Sequence, residues 1–174
     1  YINFLQNLTE GELGTSFRLG TPVAALVGPR ILNSFILVAP AIVTGYLAGS
    51  LIGAVMGIKK DELFDQTSSI GLIVIGTLPE FVLGIGLLAI FSQGLGIFPS
   101  TGMISSSFRA ANPNAGLAAM IMSKDFWMHY TLPFLTIALR YTFSPSLIMR
   151  TSIIEVAGQG FTYYNRMKGL RKSN

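Results

Sequence analysis

Cysteine is absent from all 174 residues, so neither a disulfide framework nor a thiolate metal site can exist in this chain. Charge is almost as scarce. Asp, Glu, Lys and Arg make up 11% of the residues, where a soluble domain carries roughly a quarter. A phosphate-cradling loop of the "GxxxxGK[ST]" kind is missing as well, which assigns any nucleotide chemistry to another chain. What fills the sequence instead is apolar: 51% of it, in long runs free of ionisable groups. The formal net charge of +4 does not point to nucleic acid, because the basic residues lie between hydrophobic blocks and form no single stripe. Membrane lipid is the surface this composition fits.

Three stretches are candidates to cross a bilayer, and the expected fold class is an all-α polytopic membrane protein. Residues 31–58 contain no ionisable group and exceed the roughly 20 apolar residues a crossing needs. Residues 67–98 are equally apolar apart from Glu80, and residues 130–152 are interrupted by Arg140. The chain is read as a single, partial membrane domain over residues 1–174. Residues 1–30 form an outer segment, 99–129 an outer loop and 153–174 a cytoplasmic tail.

Orientation rests on the basic residues, which stay with short cytoplasmic loops. The turn "KKDELFD" brings Lys59 and Lys60 to one membrane edge, and the tail after the third span gathers Arg166, Lys168, Arg171 and Lys172. The opposite side spreads Arg18, Arg30, Arg109 and Lys124 over far longer stretches. The turn and the tail are therefore expected inside, and the N-terminus outside. An outer N-terminus beginning at Tyr1 leads us to expect an upstream span, and hence a longer parent membrane protein.

Gly45, Gly49, Gly53 and Gly57 recur at every fourth position, with Ala41 extending the row. That spacing aligns small residues on one helix face and lets a second backbone approach closely. Pro40, Pro79, Pro133 and Pro145 are expected to interrupt their helices, which membrane proteins tolerate when neighbours satisfy the freed carbonyls. Trp127 and Tyr130 suit an interfacial anchor, and His129, the one histidine, is read as an interfacial residue beside them rather than a ligand. Glu80 admits two readings. A carboxylate in an apolar span is costly and faces protein or water, so it either lines a pathway or takes part in helix packing. Catalysis is not expected. Glu80 has no second acid in its span, and His129 lies near a membrane face, so neither a carboxylate pair nor a His-based site forms within the spans.

The end of the chain, "IIEVAGQGFTYYNRMKGLRKSN", breaks with everything before it. Phe161, Tyr163 and Tyr164 interleave with Arg166 and Lys168, and Gly169 suits a helix stop. Aromatic and cationic residues are favoured at protein interfaces. A basic anchor on anionic lipid accounts for the same residues equally well.

Taken in order, several stretches resemble one family. "GELGTSFRLGTPV" (11–23) followed by "RILNSFILV" resembles the outer segment and Arg-led span of dipeptide, oligopeptide and nickel ABC-importer permeases. "TLPEFVLGIGLLAIFSQGLGIFPSTG" (77–102) is similar to that family's next span, opened by P-x-F and closed by P-x-x-G. "HYTLPFLTIAL" (129–139) and "RTSIIEVAGQGFTYYNRMKGL" (150–170) continue the likeness, so it covers almost the whole chain. Gly160 stands where the family usually has Asp, and Asn165 and Met167 replace two small alanines.

The resemblance implies a fold of six spans, three of them within this chain, with a cytoplasmic coupling helix containing the EAA motif. It resolves the tail in favour of docking, with Phe161, Tyr163, Tyr164, Arg166, Lys168 and Gly169 as coupling residues. It also implies a permease subunit of an ATP-driven importer in the cell membrane of a prokaryote. Peptides are the expected solutes, with nickel or a related small solute as the alternative within the family. The implied partners are a second permease subunit, ATP-binding subunits that carry out the hydrolysis, and an extracytoplasmic solute-binding protein. No cofactor is implied. A membrane scaffold or channel subunit without an ATPase partner is the competing reading.

The orientation is directly testable, because no native cysteine interferes within this stretch. With single cysteines introduced as Lys60→Cys and Ser106→Cys, an impermeant thiol reagent applied to intact cells should label position 106 alone. Labelling at position 60 alone would reverse the topology.

Overall fold

The computed structural model describes residues 2–9 and 11–159. Among them the regular structure is helical, and the only β feature is an isolated antiparallel bridge between Thr15 and Pro22. The tail residues Phe161, Tyr163, Tyr164, Arg166, Lys168 and Gly169 lie outside the described residues. The chain divides into two compact units, residues 1–39 and the remainder from Pro40.

In the first unit, α1 (Ile2–Thr9) leads into a closed loop before the start of α2 (Val23–Ile58). The loop is made by backbone bonds. The amide of Ser16 donates to the Thr21 carbonyl at 2.9 Å, and that of Val23 to Gly14 at 2.9 Å. Gly14 (φ 72°) and Gly20 (φ 63°) take the left-handed backbone that these reversals require. Thus "GELGTSFRLGTPV" is a turn-rich segment because its glycines fall where the chain doubles back.

In the second unit, α2 continues through Pro40 without a break to Ile58. A turn then leads to α3 (Leu63–Thr77) and α4 (Glu80–Leu87), which runs on as a π-helical stretch, Leu88–Gly94. Short helices α5 (Ser106–Ala111) and α6 (Leu117–Ile121) follow. The long helix α7 (Lys124–Gly158) closes the described chain. Ser123 starts α7 by accepting the Phe126 amide on its hydroxyl at 3.2 Å.

The stretch 67–98, read from the sequence as one span, is bent. The helices Leu63–Thr77 and Glu80–Gly94 meet at 105°. Leu78 is extended (ψ 134°) and Pro79 sits at the N-cap of α4 with ψ 143°, as the steric demand of proline on its predecessor requires. Pro40, Pro133 and Pro145, expected to interrupt helices, instead lie within continuous ones. Only Pro79 of the four separates two helices. By length and composition α2 can cross a membrane by itself, and the bent pair adds one more crossing if taken as a single span. α7 has the length, 35 residues, but does not reach the same degree of apolarity; Lys124, Asp125, Arg140, Arg150 and Glu155 are distributed along it.

The second unit is held by α2 against α7 at backbone distance. A Cβ placed on Gly45 would stand 2.6 Å from the Ala138 carbonyl oxygen, and one on Gly49 2.5 Å from that of Thr142. On Gly53 it would collide with the Ser146 backbone, and on Gly57 it would meet Ile153 Cβ at 2.8 Å and the Arg150 carbonyl at 3.0 Å. The facing positions 138, 142, 146 and 150 also recur every fourth residue, and Ala138, Thr142 and Ser146 are small and buried. The hydroxyls buried there are satisfied locally. Thr142 donates to the Ala138 carbonyl and Ser146 to the Thr142 carbonyl, each at 2.8 Å, so close approach costs no unpaired donor. α3 joins the same helix where Gly76 lies against the Phe143 ring, and α4 where Gly84 faces Thr136.

Large apolar side chains such as Leu47, Leu51, Ile70, Phe81, Ile85 and Ile148 are exposed. For a chain of this composition that is the surface expected to face lipid or further protein.

Gly53→Ala should lower stability by about 1–3 kcal/mol, because the added methyl meets backbone that no rotamer change can move aside. Gly71→Ala, where nothing lies within 4 Å, should be neutral or stabilise by up to about 1 kcal/mol through helix propensity. Apparent unfolding midpoints of the purified protein in detergent compare the two. Equal behaviour would show that the glycine contact is incidental.

Candidate functional site

Glu80 owes its position to the break at Pro79. It occupies the first turn of α4, where the free amides of a helix N-terminus favour a carboxylate. From there it borders two cavities. The larger, about 670 Å³, lies between α4, the loop Pro99–Gly102 and α7, with Gly84, Thr101, His129 and Thr136 among its walls. That volume is within the range of about 300–1,000 Å³ usual for small-molecule sites. The smaller, about 230 Å³, is lined by Tyr46, Glu80, Arg140, Tyr141, Ser144 and Pro145.

The loop wall is shaped by Gly102 (φ 85°) and fixed through Asp125. The Asp125 carboxylate accepts the Ser105 amide at 2.7 Å, and the Ser105 hydroxyl in turn caps α5 by accepting the Phe108 amide at 3.1 Å. The Ser105 amide holds the Asp125 carboxyl below its ordinary range, against the opposing effect of burial, with help from the Ser105 hydroxyl and nearby His129. His129 Nδ1 is bonded to the Asp125 main-chain carbonyl at 2.8 Å. The ring is thus held in the wall of the larger cavity, with only 7% of its side chain exposed. Trp127 is half exposed, and it and Tyr130 pack edge to face at 5.3 Å.

Glu80 and Arg140, each a formal charge within an apolar stretch, share the small cavity. Among the described residues no ion pair or hydrogen bond joins them. Tyr46, next to Gly45 of the glycine row, supplies the opposite wall with its ring 6.3 Å from that of Tyr141. The helix contact therefore also frames the cavity. The tail residues expected to couple lie outside the described residues.

A second constellation was not selected from the sequence. Asp65, in the first turn of α3 and 2% exposed, receives Arg150 of α7 in a two-pronged ion pair. Nε meets Oδ1 at 2.5 Å and Nη2 meets Oδ2 at 2.7 Å, the planar fork geometry that only arginine offers. The Asp61 amide adds a third donor at 3.1 Å, from a residue at φ 66°. Gln66 steadies that turn by donating to the Asp61 carbonyl at 3.1 Å. The acid lies in the turn "KKDELFD" and the base 85 residues later. The one signal available was position: Asp65 is the last charge of that turn and Arg150 follows the apolar run of the third stretch.

Asp65→Ala should cost about 3 kcal/mol or more by leaving a partly buried guanidinium without its partner. Asp65→Ala with Arg150→Met should recover at least half of that, as no orphan charge remains. Unfolding midpoints of the three variants decide it. If Asp65→Ala is neutral, the pair contributes nothing to the fold.

Residues 49–174 match the family described as "Binding-protein-dependent transport system inner membrane component". The chain is 28% identical over 172 residues to the glutathione transport system permease protein GsiC of Pectobacterium atrosepticum, covering 98% of this chain and 49% of that protein. It is 31% identical over 180 residues to the oligopeptide transport system permease protein OppB of Mycobacterium tuberculosis, covering 99% of this chain and 52% of that one. GsiC of Salmonella typhi is 23% identical over 171 residues, covering 98% and 49%. The chain spans about half the length of the curated relatives it matches.

Proposed function

The chain belongs to the family of binding-protein-dependent transport system inner membrane components, and on that premise we propose that it forms part of the permease subunit of an ATP-driven importer of peptides or related small solutes. The observation that carries the proposal beyond family membership is Glu80 on the wall of a 670 Å³ cavity between α4 and α7. The names of the relatives, glutathione and oligopeptide permeases, fit solutes with an amine for that carboxylate to meet.

In this reading α4 and α7 contribute one side of the pathway. The second permease subunit and further helices of the parent complete it, and a solute-binding protein delivers the solute from outside. Hydrolysis takes place in separate ATP-binding subunits. Lys59, Lys60 and the tail face the cytoplasm, and Phe161, Tyr163, Tyr164, Arg166, Lys168 and Gly169 dock on an ATP-binding subunit. The Asp65–Arg150 pair then lies just ahead of the docking segment and ties the cytoplasmic turn to the helix that leads into it. Motion imposed on the tail would pass through α7, which is packed backbone to backbone on α2, as rigid-body movement rather than local bending.

The test is a full-length parent reconstituted with its ATP-binding subunits and solute-binding protein. ATP-dependent accumulation of a labelled tripeptide is expected. Tyr164→Ala with Arg166→Ala should reduce recovery of the ATP-binding subunit and uptake together, at least fivefold, at an unchanged membrane level of the permease. Full recovery and uptake in that variant would make the tail a lipid anchor. A parent that imports no peptide would remove the peptide-importer reading.

A further inference from the structure

The small cavity holds a pair of opposite charges that the fold does not use. Glu80 and Arg140 line the same space of about 230 Å³. Among the described residues, the ion pairs are Lys59 with Glu62, His129 with Asp125, and Arg150 with Asp65, so neither takes part in one. This contrasts with Asp65 and Arg150, where the same chain closes a fork-to-fork pair. Charges within apolar stretches are expensive and mark sites where a partner is supplied. The remaining wall is amphipathic: two tyrosines, Ser144 and the ring of Pro145. Glu80 also borders the larger, mainly apolar cavity, so a solute held by its amine at Glu80 has room for an apolar side chain on one side and an acidic group on the other.

We propose that Glu80 and Arg140 form a two-point site for a short zwitterion, with the solute's free α-ammonium at Glu80 and its free carboxylate at Arg140. The volume is below the usual range for a whole ligand, which suits the charged ends of a short peptide and not a long one lying across it. Arg140 is the right cation for the acidic end, because its planar donors grip a carboxylate in two places. The fold tolerates both charges because each borders the cavity and keeps some exposure: Glu80 is exposed and Arg140 half-buried. This assignment rests on the pathway reading of Glu80 and specifies the chemistry of the solute at that place.

The experiment uses the full-length parent with its ATP-binding subunits in lipid nanodiscs, with any native cysteine replaced and Ser144→Cys introduced. The solute-binding protein is omitted, so that its selectivity does not enter. Modification of Cys at this position by a maleimide is followed against Ala-Ala-Ala, its N-acetyl form and its C-terminal amide. The free tripeptide should protect at a concentration about tenfold or more below either blocked form, the discrimination expected of a hydrogen-bonded charge. Arg140→Met should erase the difference between the free peptide and the amide while keeping the preference over the acetylated form. Glu80→Gln should do the reverse, a crossed pattern that loss of packing cannot produce. Equal protection by all three peptides would overturn the two-point site and leave the pathway reading intact. No protection by any of them would remove both.

Discussion

The contact on which the second unit depends is that of one helix backbone with another. Along α2, Gly45, Gly49, Gly53 and Gly57 have no side chain, and along α7 the carbonyls of Ala138, Thr142, Ser146 and Arg150 fill the vacated space. Two rows at four-residue spacing stay in register at this distance because one has no side chains and the other is small at Ala138, Thr142 and Ser146. In a lipid solvent such a seam is one of the few ways to gain association energy, because burying apolar area against protein instead of lipid gains little. The seam also sets the height of Tyr46 against Tyr141 and of Met56 within the core. A shift of one turn would displace the cavity walls together with the packing.

Against that fixed pair, the stretch from Leu63 to Gly94 is the element that bends. Its 105° corner places the one acidic group of the apolar run at a helix N-terminus and at a cavity edge, instead of in the middle of a straight span. A continuous helix would have carried Glu80 through the most apolar surroundings with no compensating amides. The corner thus resolves the cost of the carboxylate locally and aims α4 along α7, where Gly84 meets Thr136. The loop from Pro99 to Gly102 then seals one side of the larger cavity through the bond between Ser105 and Asp125.

Much of this was legible in the residues because it is local and periodic. The all-helical class, the apolar stretch of α2 and the glycine row follow from composition and from spacing that repeats every four residues. Proline was harder to read. Its ring forbids one hydrogen bond wherever it falls, yet only at Pro79 does the chain leave the helix, while Pro133 and Pro145 remain inside α7. The difference lies in the neighbours: Pro145 is pressed into the α2 seam beside Gly49, whereas the segment at Leu78 is free to become extended. The surroundings of His129 were hard to read for a related reason. Its adjacency to Trp127 and Tyr130 is a fact of the sequence, but one residue rotates a helix position by about 100°, which takes it from the aromatic face to the cavity wall. The Asp65–Arg150 pair joins positions 85 residues apart, and no local pattern reports such a contact.

Two acid–base combinations of the second unit, Asp65 with Arg150 and Glu80 with Arg140, use the same chemistry in opposite ways. At Asp65 the carboxylate collects a guanidinium on both oxygens and a backbone amide besides, so its bonding capacity is spent on the fold. Desolvating a charge is offset only by such complete pairing, and a group so fully engaged is a poor receptor for a solute. Glu80 and Arg140 have the opposite character. They lie on one cavity wall, open to it and uncommitted to each other. In the importer proposed above, a chain of so little charge that locks one acid–base pair and leaves another open would separate the joint that holds during transport from the contacts that form and break with each solute.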